Sequence, residues 1–165
     1  MAKDSKEKST LAELKKNYAV LQKKYSLPSF DDLNKDFYIE RVSDIETDYI
    51  LREMRKFISE RYSNYMRFVE AILNPVNAPM FVFSIIKLLG KEDKKQLESI
   101  YTRFMQIELD LIELDIQTSE VKEADFIKKS YKDWQEFKKS MTTVFDTIKK
   151  NKENKAEKND GNYFG

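Results

Sequence analysis

Hydrophobic residues recur every three or four positions along most of this chain, a spacing that places them on one face of an α-helix. The pattern predicts three long helices, over residues 43–74, 92–118 and 120–150. It also predicts an N-terminal helix over residues 10–25 and a short apolar helix over residues 79–89. The sequence therefore predicts an all-α fold, an antiparallel helical bundle of three long helices with an N-terminal helix and a short apolar helix packed around them.

Residues that commonly begin and end helices support these boundaries. Thr10-x-x-Glu13 and Ser43-x-x-Glu46 have the form of capping boxes, and Ser119 is placed to cap the last helix. After the first helix, Leu27-Pro28-Ser29 breaks the pattern, and Ser29 starts a short additional helix. Gly90 ends the apolar helix.

The two ends of the chain are polar and rich in lysine. Residues 1–9 and 151–165 contain too few apolar side chains to bury a face, so we expect both segments to be disordered. Residues 10–150 are then a single helical domain.

The N-terminal helix carries a narrow apolar seam with alternating spacings of three and four residues. A seam of two heptads needs a partner surface, either within the fold or on a second copy of the chain. The apolar helix at 79–89 raises the same question, since it is a core plug, a homodimer interface or an exposed docking surface. The candidate interaction surface consists of Leu11, Leu14, Tyr18, Leu21, Tyr25, Phe81 and Phe83.

The segment 92–118 is apolar over an unusually wide arc. Met105, Leu109, Ile112 and Ile116 extend its main stripe well past half of the helical wheel. A helix of this kind is expected to lie between neighbours, which predicts a central position.

Four charged residues fall inside the apolar stripes of the long helices, where an unpaired charge is costly. They are Arg61, Glu108, Asp115 and Lys138. One interpretation is a buried polar site, with carboxylates for a cation or for acid–base chemistry and Arg61 for an anion. The favoured interpretation is structural: Arg61 pairs with Glu108 or Asp115 to fix helix register, and Lys138 extends to the surface.

The composition argues against most enzyme classes. The chain has no histidine and no cysteine, which removes the commonest general base and the usual ligands of zinc, haem and iron–sulfur clusters. Three glycines are too few and too scattered for a phosphate-binding loop. We expect no catalytic residues, no bound metal and no cofactor, although carboxylate chemistry around Glu108 and Asp115 stays an alternative.

Acidic and basic segments alternate and leave a net charge of +1. A uniformly basic chain would indicate nucleic acid, and this one does not. Lysines do interleave with aromatic residues in 128–139, so a nucleic-acid- or ribosome-associated factor using lysine-rich helices stays an alternative. No signal peptide and no apolar run long enough for a membrane span are visible, which predicts a soluble, cytoplasmic protein.

Residues 27–33, 73–75 and 78–81, which read LPSFDDL, LNP and APMF, resemble a group of small helical archaeal-type proteins of unknown function. The resemblance covers residues 10–150 and implies a cytosolic protein of that type, without indicating an activity. The residues themselves favour a non-catalytic helical protein–protein interaction module, which binds a second copy as a homodimer or another protein.

Overall fold

The computed structural model describes the backbone of residues 2–160 and the side chains of residues 10–155. The chain is 84% helical, and no strand occurs among the described residues, so the predicted all-α fold is confirmed. Over residues 2–160 six α-helices follow one another, with a 3₁₀ helix at Ile39–Asp44 between the second and the third. They are α1 (Ala2–Tyr25), α2 (Phe30–Phe37), α3 (Ile50–Leu73), α4 (Met80–Ile86), α5 (Lys91–Ile116) and α6 (Glu120–Asp160).

Two of the predicted caps are present in the structure. The backbone N–H of Asp32 donates to Ser29 Oγ at 3.1 Å and starts α2. The backbone N–H of Lys122 donates to Ser119 Oγ at 3.1 Å and starts α6. In both places a hydroxyl satisfies a first-turn N–H that has no partner within the helix.

The C-terminus of α1 closes in a Schellman motif. Ser26 has a left-handed backbone with φ of 54°, and the N–H of Leu27 donates to the carbonyl of Gln22 at 3.1 Å. Leu27 is buried, as the hydrophobic residue after such a turn usually is. The Leu27-Pro28 break predicted from the sequence is therefore an ordered turn that leads directly into α2.

The two predicted capping boxes, at Thr10 and Ser43, are wrong. Because α1 begins at Ala2, Thr10 lies inside a helix and does not start one. Ser43 lies in the 3₁₀ helix, and α3 begins seven residues later at Ile50. Burial decided the second case, since the 3₁₀ helix packs against α1 and buries Ile39 and Val42.

Helix also extends into both segments that were predicted to be disordered. The backbone of residues 2–9 belongs to α1, and α6 continues through 151–160. Lysine, glutamate and alanine favour helix, and two tertiary contacts hold the start of the second segment. Asn151 Nδ2 donates to the carbonyl of Leu88 at 2.8 Å, and Lys155 Nζ donates to the carbonyl of Lys87 at 3.0 Å. Residues 1 and 161–165 lie outside the described residues.

The contacts divide the chain into two compact units. Unit 1 contains the chain up to Ser63 together with Ile107–Asp133, and unit 2 contains Asn64–Gln106 together with the chain from Trp134 onward. Three of the long helices, α3, α5 and α6, contribute residues to both units.

In unit 1 the seam of α1 packs within the chain. Leu14 and Tyr18 are buried, and the Tyr18 ring meets Phe30 of α2 edge to face with 5.6 Å between ring centroids. The Tyr18 hydroxyl donates to the carbonyl of Pro28 at 2.7 Å. The core of the same unit also contains Tyr62 of α3, whose hydroxyl donates to the carbonyl of Ser130 at 2.7 Å.

The core of unit 2 contains a cluster of aromatic side chains. Tyr65 lies edge to face with both Trp134 and Phe137, at 5.4 Å between centroids in each pair. The ring centroids of Phe104 of α5 and Phe137 are 4.9 Å apart. These geometries are the ones aromatic pairs prefer, and they join α3, α5 and α6 within this unit. Trp134 is buried, as the helical spacing predicted.

The central position predicted for α5 is wrong in one respect. Its main stripe is buried, including Leu97, Ile107 and Leu111. The residues that widened its apolar arc are exposed instead, namely Met105, Leu109, Ile112 and Ile116. The hydrophobic pattern shows which residues are apolar, but the neighbouring elements decide how many of them are covered.

Replacement of Ser26 by glycine should stabilise the protein by about 0.5 kcal/mol, since glycine adopts positive φ without steric cost. The matched control is Ser99→Gly on the exposed side of α5, which should destabilise by about 0.5 kcal/mol because the backbone there is helical. Urea denaturation measures the free energy of unfolding of both variants. A change of the same sign in both would contradict this interpretation of the turn.

Candidate functional site

Within unit 1, three charged residues of the predicted polar cluster, Arg61, Glu108 and Asp115, do not pair with one another. Asp115 accepts a hydrogen bond from Arg55 Nη2 at 2.8 Å, and Glu108 accepts one from Ser63 Oγ at 3.0 Å. The guanidinium of Arg61 lies over the ring of Tyr38, 5.6 Å from its centroid. The predicted pairing of Arg61 with either carboxylate is therefore wrong.

Lys138, the fourth residue of the predicted cluster, belongs to unit 2 and is half-buried on α6. Its placement in the other unit leaves three of the four predicted residues in unit 1. A buried polar cluster does exist in unit 1, but it is built around a different arginine.

The sequence selected the wrong arginine because half-buried aromatic residues shifted the estimated centre of the α3 stripe. At 100° per residue, Arg55 lies about 40° from Leu51, which is at the middle of the buried arc. Arg61 lies about 80° away on the other side. Phe57 and Phe68 are only half-buried, and they had moved the apparent centre toward Arg61.

The buried ion pair of unit 1 joins Arg55 of α3 to Glu123 of α6. Arg55 is 5% exposed and Glu123 is 2% exposed, and 2.7 Å separate Arg55 Nε from Glu123 Oε2. The same guanidinium reaches Asp115 of α5, whose side chain is 65% exposed. One arginine thus holds the adjoining ends of three helices.

The charge of Arg55 contributes more to holding Glu123 than hydrogen bonding does. The N–H of Arg55 Nε is poorly aligned with the nearby Oε2, so the hydrogen bond between them is weak. Burial raises the pKa of Glu123, and the positive charges of Arg55 and Arg52 oppose this effect only in part. A mixed polar and apolar cavity of about 530 Å³ adjoins this cluster and is lined in part by Glu123, Arg52 and Glu120.

At its first turn, α6 is also tied to the end of α1. Glu120 accepts hydrogen bonds from Lys24 Nζ at 2.9 Å and from the hydroxyl of Tyr25. These two donors lower the pKa of the Glu120 carboxyl, with the tyrosine hydroxyl as the larger cause. Tyr25 of the predicted interaction seam therefore acts within unit 1.

A lysine-rimmed groove lies between α4 and α6 in unit 2 and has a volume of about 730 Å³. Its apolar floor consists of Phe81, Ile85, Leu88, Phe145 and Ile148. Four exposed lysines line its edge, namely Lys87, Lys149, Lys152 and Lys155. The volume falls in the range of pockets that enclose an organic ligand or a set of anchoring side chains.

Contacts from α6 hold the C-terminus of α4 beside this groove. The carbonyls of Lys87 and Leu88 follow the last turn of α4 and accept hydrogen bonds from Lys155 and Asn151. Such carbonyls have no partner within the helix, so these contacts fix one wall of the groove against the other.

Two of the predicted interaction residues, Phe81 and Phe83, are exposed on α4. Phe81 is 59% exposed and lines the groove, and Val82 between them is buried. Met80 extends the exposed apolar surface. The sequence analysis did not predict the rim, because Lys149, Lys152 and Lys155 lie in or beside the segment that was predicted to be a disordered tail. Their spacing of three residues is helical and was the signal available in the sequence.

The second exposed apolar surface is the α5 stripe, formed by Leu109, Ile112 and Ile116 in unit 1. These side chains are 58%, 57% and 75% exposed. The charged residues that flank the stripe, about 70–90° around the helix on either side, are all acidic: Glu108, Glu113 and Asp115. Glu113 also contacts Lys122 Nζ at 3.6 Å.

Arg55→Ala should destabilise the protein by about 3 kcal/mol, because it leaves Glu123 buried without its counter-charge. The double variant Arg55→Met, Glu123→Leu should cost much less, since both charges then leave the interior. Arg67→Ala, which removes an exposed arginine farther along the same helix, is the matched control. Chemical denaturation measures the free energy of unfolding of these variants. A decrease of less than about 1 kcal/mol for Arg55→Ala would refute the proposed role of the pair.

The pH dependence of stability should differ in sign between two glutamates of α6. Because the folded-state pKa of Glu123 is raised from 4.5, its contribution is present below that value and is lost as pH rises. Glu123→Gln should therefore gain stability relative to the parent protein as pH increases. The pKa of Glu120 is lowered, so Glu120→Gln should lose relative stability over the same range.

Thermal unfolding of the parent and both variants between pH 4 and pH 8 measures this difference. Parallel curves for the two variants would contradict the assignment of the two environments.

Among the described residues no helix is both long and apolar enough to cross a membrane, and no three acidic side chains are grouped to hold a metal ion. Comparison with known proteins gives no relative from which a role could be transferred. No family model matches the chain, and neither a curated protein nor a solved structure does. The resemblance to small archaeal-type helical proteins stays an expectation from the sequence. The lysine-rimmed groove and the α5 stripe are two exposed apolar surfaces of the described residues.

Proposed function

We propose that this chain is a non-catalytic helical protein–protein interaction module that binds an acidic amphipathic helix in the lysine-rimmed groove. The observation that carries the proposal is the combination of an apolar floor with a rim of four lysines. The cytoplasmic location expected from the sequence is part of the same proposal.

A helix is the occupant that suits the shape of the groove. Its walls are α4 and α6, and two helices that lie side by side offer a channel for the side-chain ridge of a third. A helix that binds in this way places residues i, i+3 or i+4 and i+7 on the apolar floor. Phe81 and Phe145 supply the large aromatic area that anchoring contacts commonly use.

The rim decides the sign of the charge on the occupant. One lysine of the rim has an acidic neighbour on its own helix, since Asp146 lies 3.9 Å from Lys149 Nζ. Single contacts to exposed lysines contribute only about 0.2–1 kcal/mol each. Affinity therefore depends mainly on the apolar floor, and the lysines provide selection and faster association.

Two alternatives have less support. For nucleic acid, aromatic stacking platforms would be needed, yet Trp134 of the lysine-rich segment is 2% exposed and packs in the core of unit 2. For a carboxylate enzyme, Glu108 and Asp115 would have to converge, yet they contact different partners, Ser63 and Arg55.

The test uses a labelled fifteen-residue helical peptide with leucines at i, i+3 and i+7 and glutamates on its flanks. The full chain should bind it, and Lys149→Glu, Lys152→Glu should weaken binding roughly tenfold, equivalent to about 1.4 kcal/mol. Lys139→Glu, a charge reversal on the same helix away from the groove, should leave binding unchanged. Fluorescence anisotropy gives the dissociation constants.

A peptide with lysines in place of the glutamates and a single-stranded oligonucleotide serve as competitors. Equal binding of the lysine peptide would refute the charge argument. Tighter binding of the oligonucleotide, lost in the same double variant, would replace this proposal by the nucleic-acid alternative.

A further inference from the structure

The lysine-rimmed groove calls for an acidic amphipathic helix, and this chain presents one on its own surface. Resting on the proposed function, we infer that the occupant of the groove is the α5 stripe of a second copy of the chain. The contact is stripe to groove, so the two copies use different surfaces.

The spacing of the α5 stripe matches a helix that docks in a groove. Leu109, Ile112 and Ile116 stand at positions i, i+3 and i+7 and fall within an arc of about 60°. More than half of each side chain is exposed, so the chain's own fold leaves the stripe open. Met105 continues the same register one turn earlier in the sequence.

The flanks of the stripe supply the charge that the rim requires. The side chain of Glu113 is 69% exposed and that of Asp115 is 65% exposed, so both carboxylates remain accessible beside their lysine and arginine partners. In the groove they would lie opposite Lys149 and Lys152. Charges of opposite sign across an interface speed association and select the partner.

Pairing of like surfaces is disfavoured by the same charges. Two stripes set against each other, in either direction, would place Glu108, Glu113 and Asp115 against carboxylates of the same kind. Two grooves set against each other would oppose lysines. Stripe to groove is the combination in which both the apolar area and the charges are complementary.

A contact of this type is heterologous, which has a consequence for assembly. Each copy carries one stripe and one groove, so a contact that uses only one of each leaves the others available for further copies. If each of two copies places its stripe in the groove of the other, the assembly is a closed dimer. Otherwise further copies add to the free stripe and the free groove, and the assembly grows with concentration. The near-zero net charge of +1 offers little general repulsion against either outcome.

The experiment mixes two surface variants of the full chain. Ile112→Lys blocks the stripe, and Lys149→Glu, Lys152→Glu blocks the groove, with every altered side chain already exposed in the fold. The parent chain should self-associate at micromolar concentration, and each variant alone should associate at least tenfold more weakly. An equimolar mixture should form a 1:1 complex, since it combines one intact groove with one intact stripe.

Sedimentation velocity measures all three samples, and Val20→Lys and Lys139→Glu are the matched controls that should associate like the parent. A parent chain that is monomeric at high micromolar concentration would overturn the inference. So would a mixture that fails to form the 1:1 complex. If the acidic peptide still binds the groove in those cases, the inference fails while the proposed function stands.

A salt series adds an independent readout. Raising the ionic strength from 0.1 M to 1 M shortens the screening length from about 10 Å to about 3 Å, so association should weaken. Association that strengthens with salt would point to a purely apolar contact and would contradict the role given to the charges.

Discussion

The ion pair between Arg55 and Glu123 is the interaction on which unit 1 depends. Both side chains are almost fully buried, so neither can regain water unless the packing opens. Burial makes each charge intolerable without the other, which ties the first turns of α3 and α6 to a fixed distance. The arginine also reaches Asp115 of α5, so three helices are positioned by one guanidinium.

The same burial sets the titration of Glu123. Burial raises its pKa and the negative charge of Asp115 adds to this effect, while the positive charges of Arg55 and Arg52 oppose it. Two exposed apolar surfaces lie elsewhere, on the exposed side of α5 and between α4 and α6. Their charges are opposite in sign, and this complementarity is the basis for placing the stripe of one copy in the groove of another.

The sequence predicted the secondary structure of this chain more accurately than its tertiary contacts. Helical spacing, the serine caps at Ser29 and Ser119 and the end of α3 before Pro75 depend on short-range chemistry, and all are present in the structure. Short-range rules failed at Ser43, where a capping box lies in a 3₁₀ helix. Burial of Ile39 and Val42 outweighed the cap, because their apolar contacts are worth more than one hydrogen bond.

The amino-acid sequence by itself determined that this chain is helical, where most of its helices end and that it contains neither histidine nor cysteine. It also showed Phe81 and Phe83 as candidate interaction residues. Only the tertiary structure decided that Arg55 and not Arg61 pairs with Glu123 and Asp115, that Leu14 and Tyr18 of the α1 seam are buried within unit 1 and that the α5 stripe is left exposed. The physical reason is that periodicity defines the faces of a helix, whereas coverage of each face depends on neighbours that are distant in the sequence.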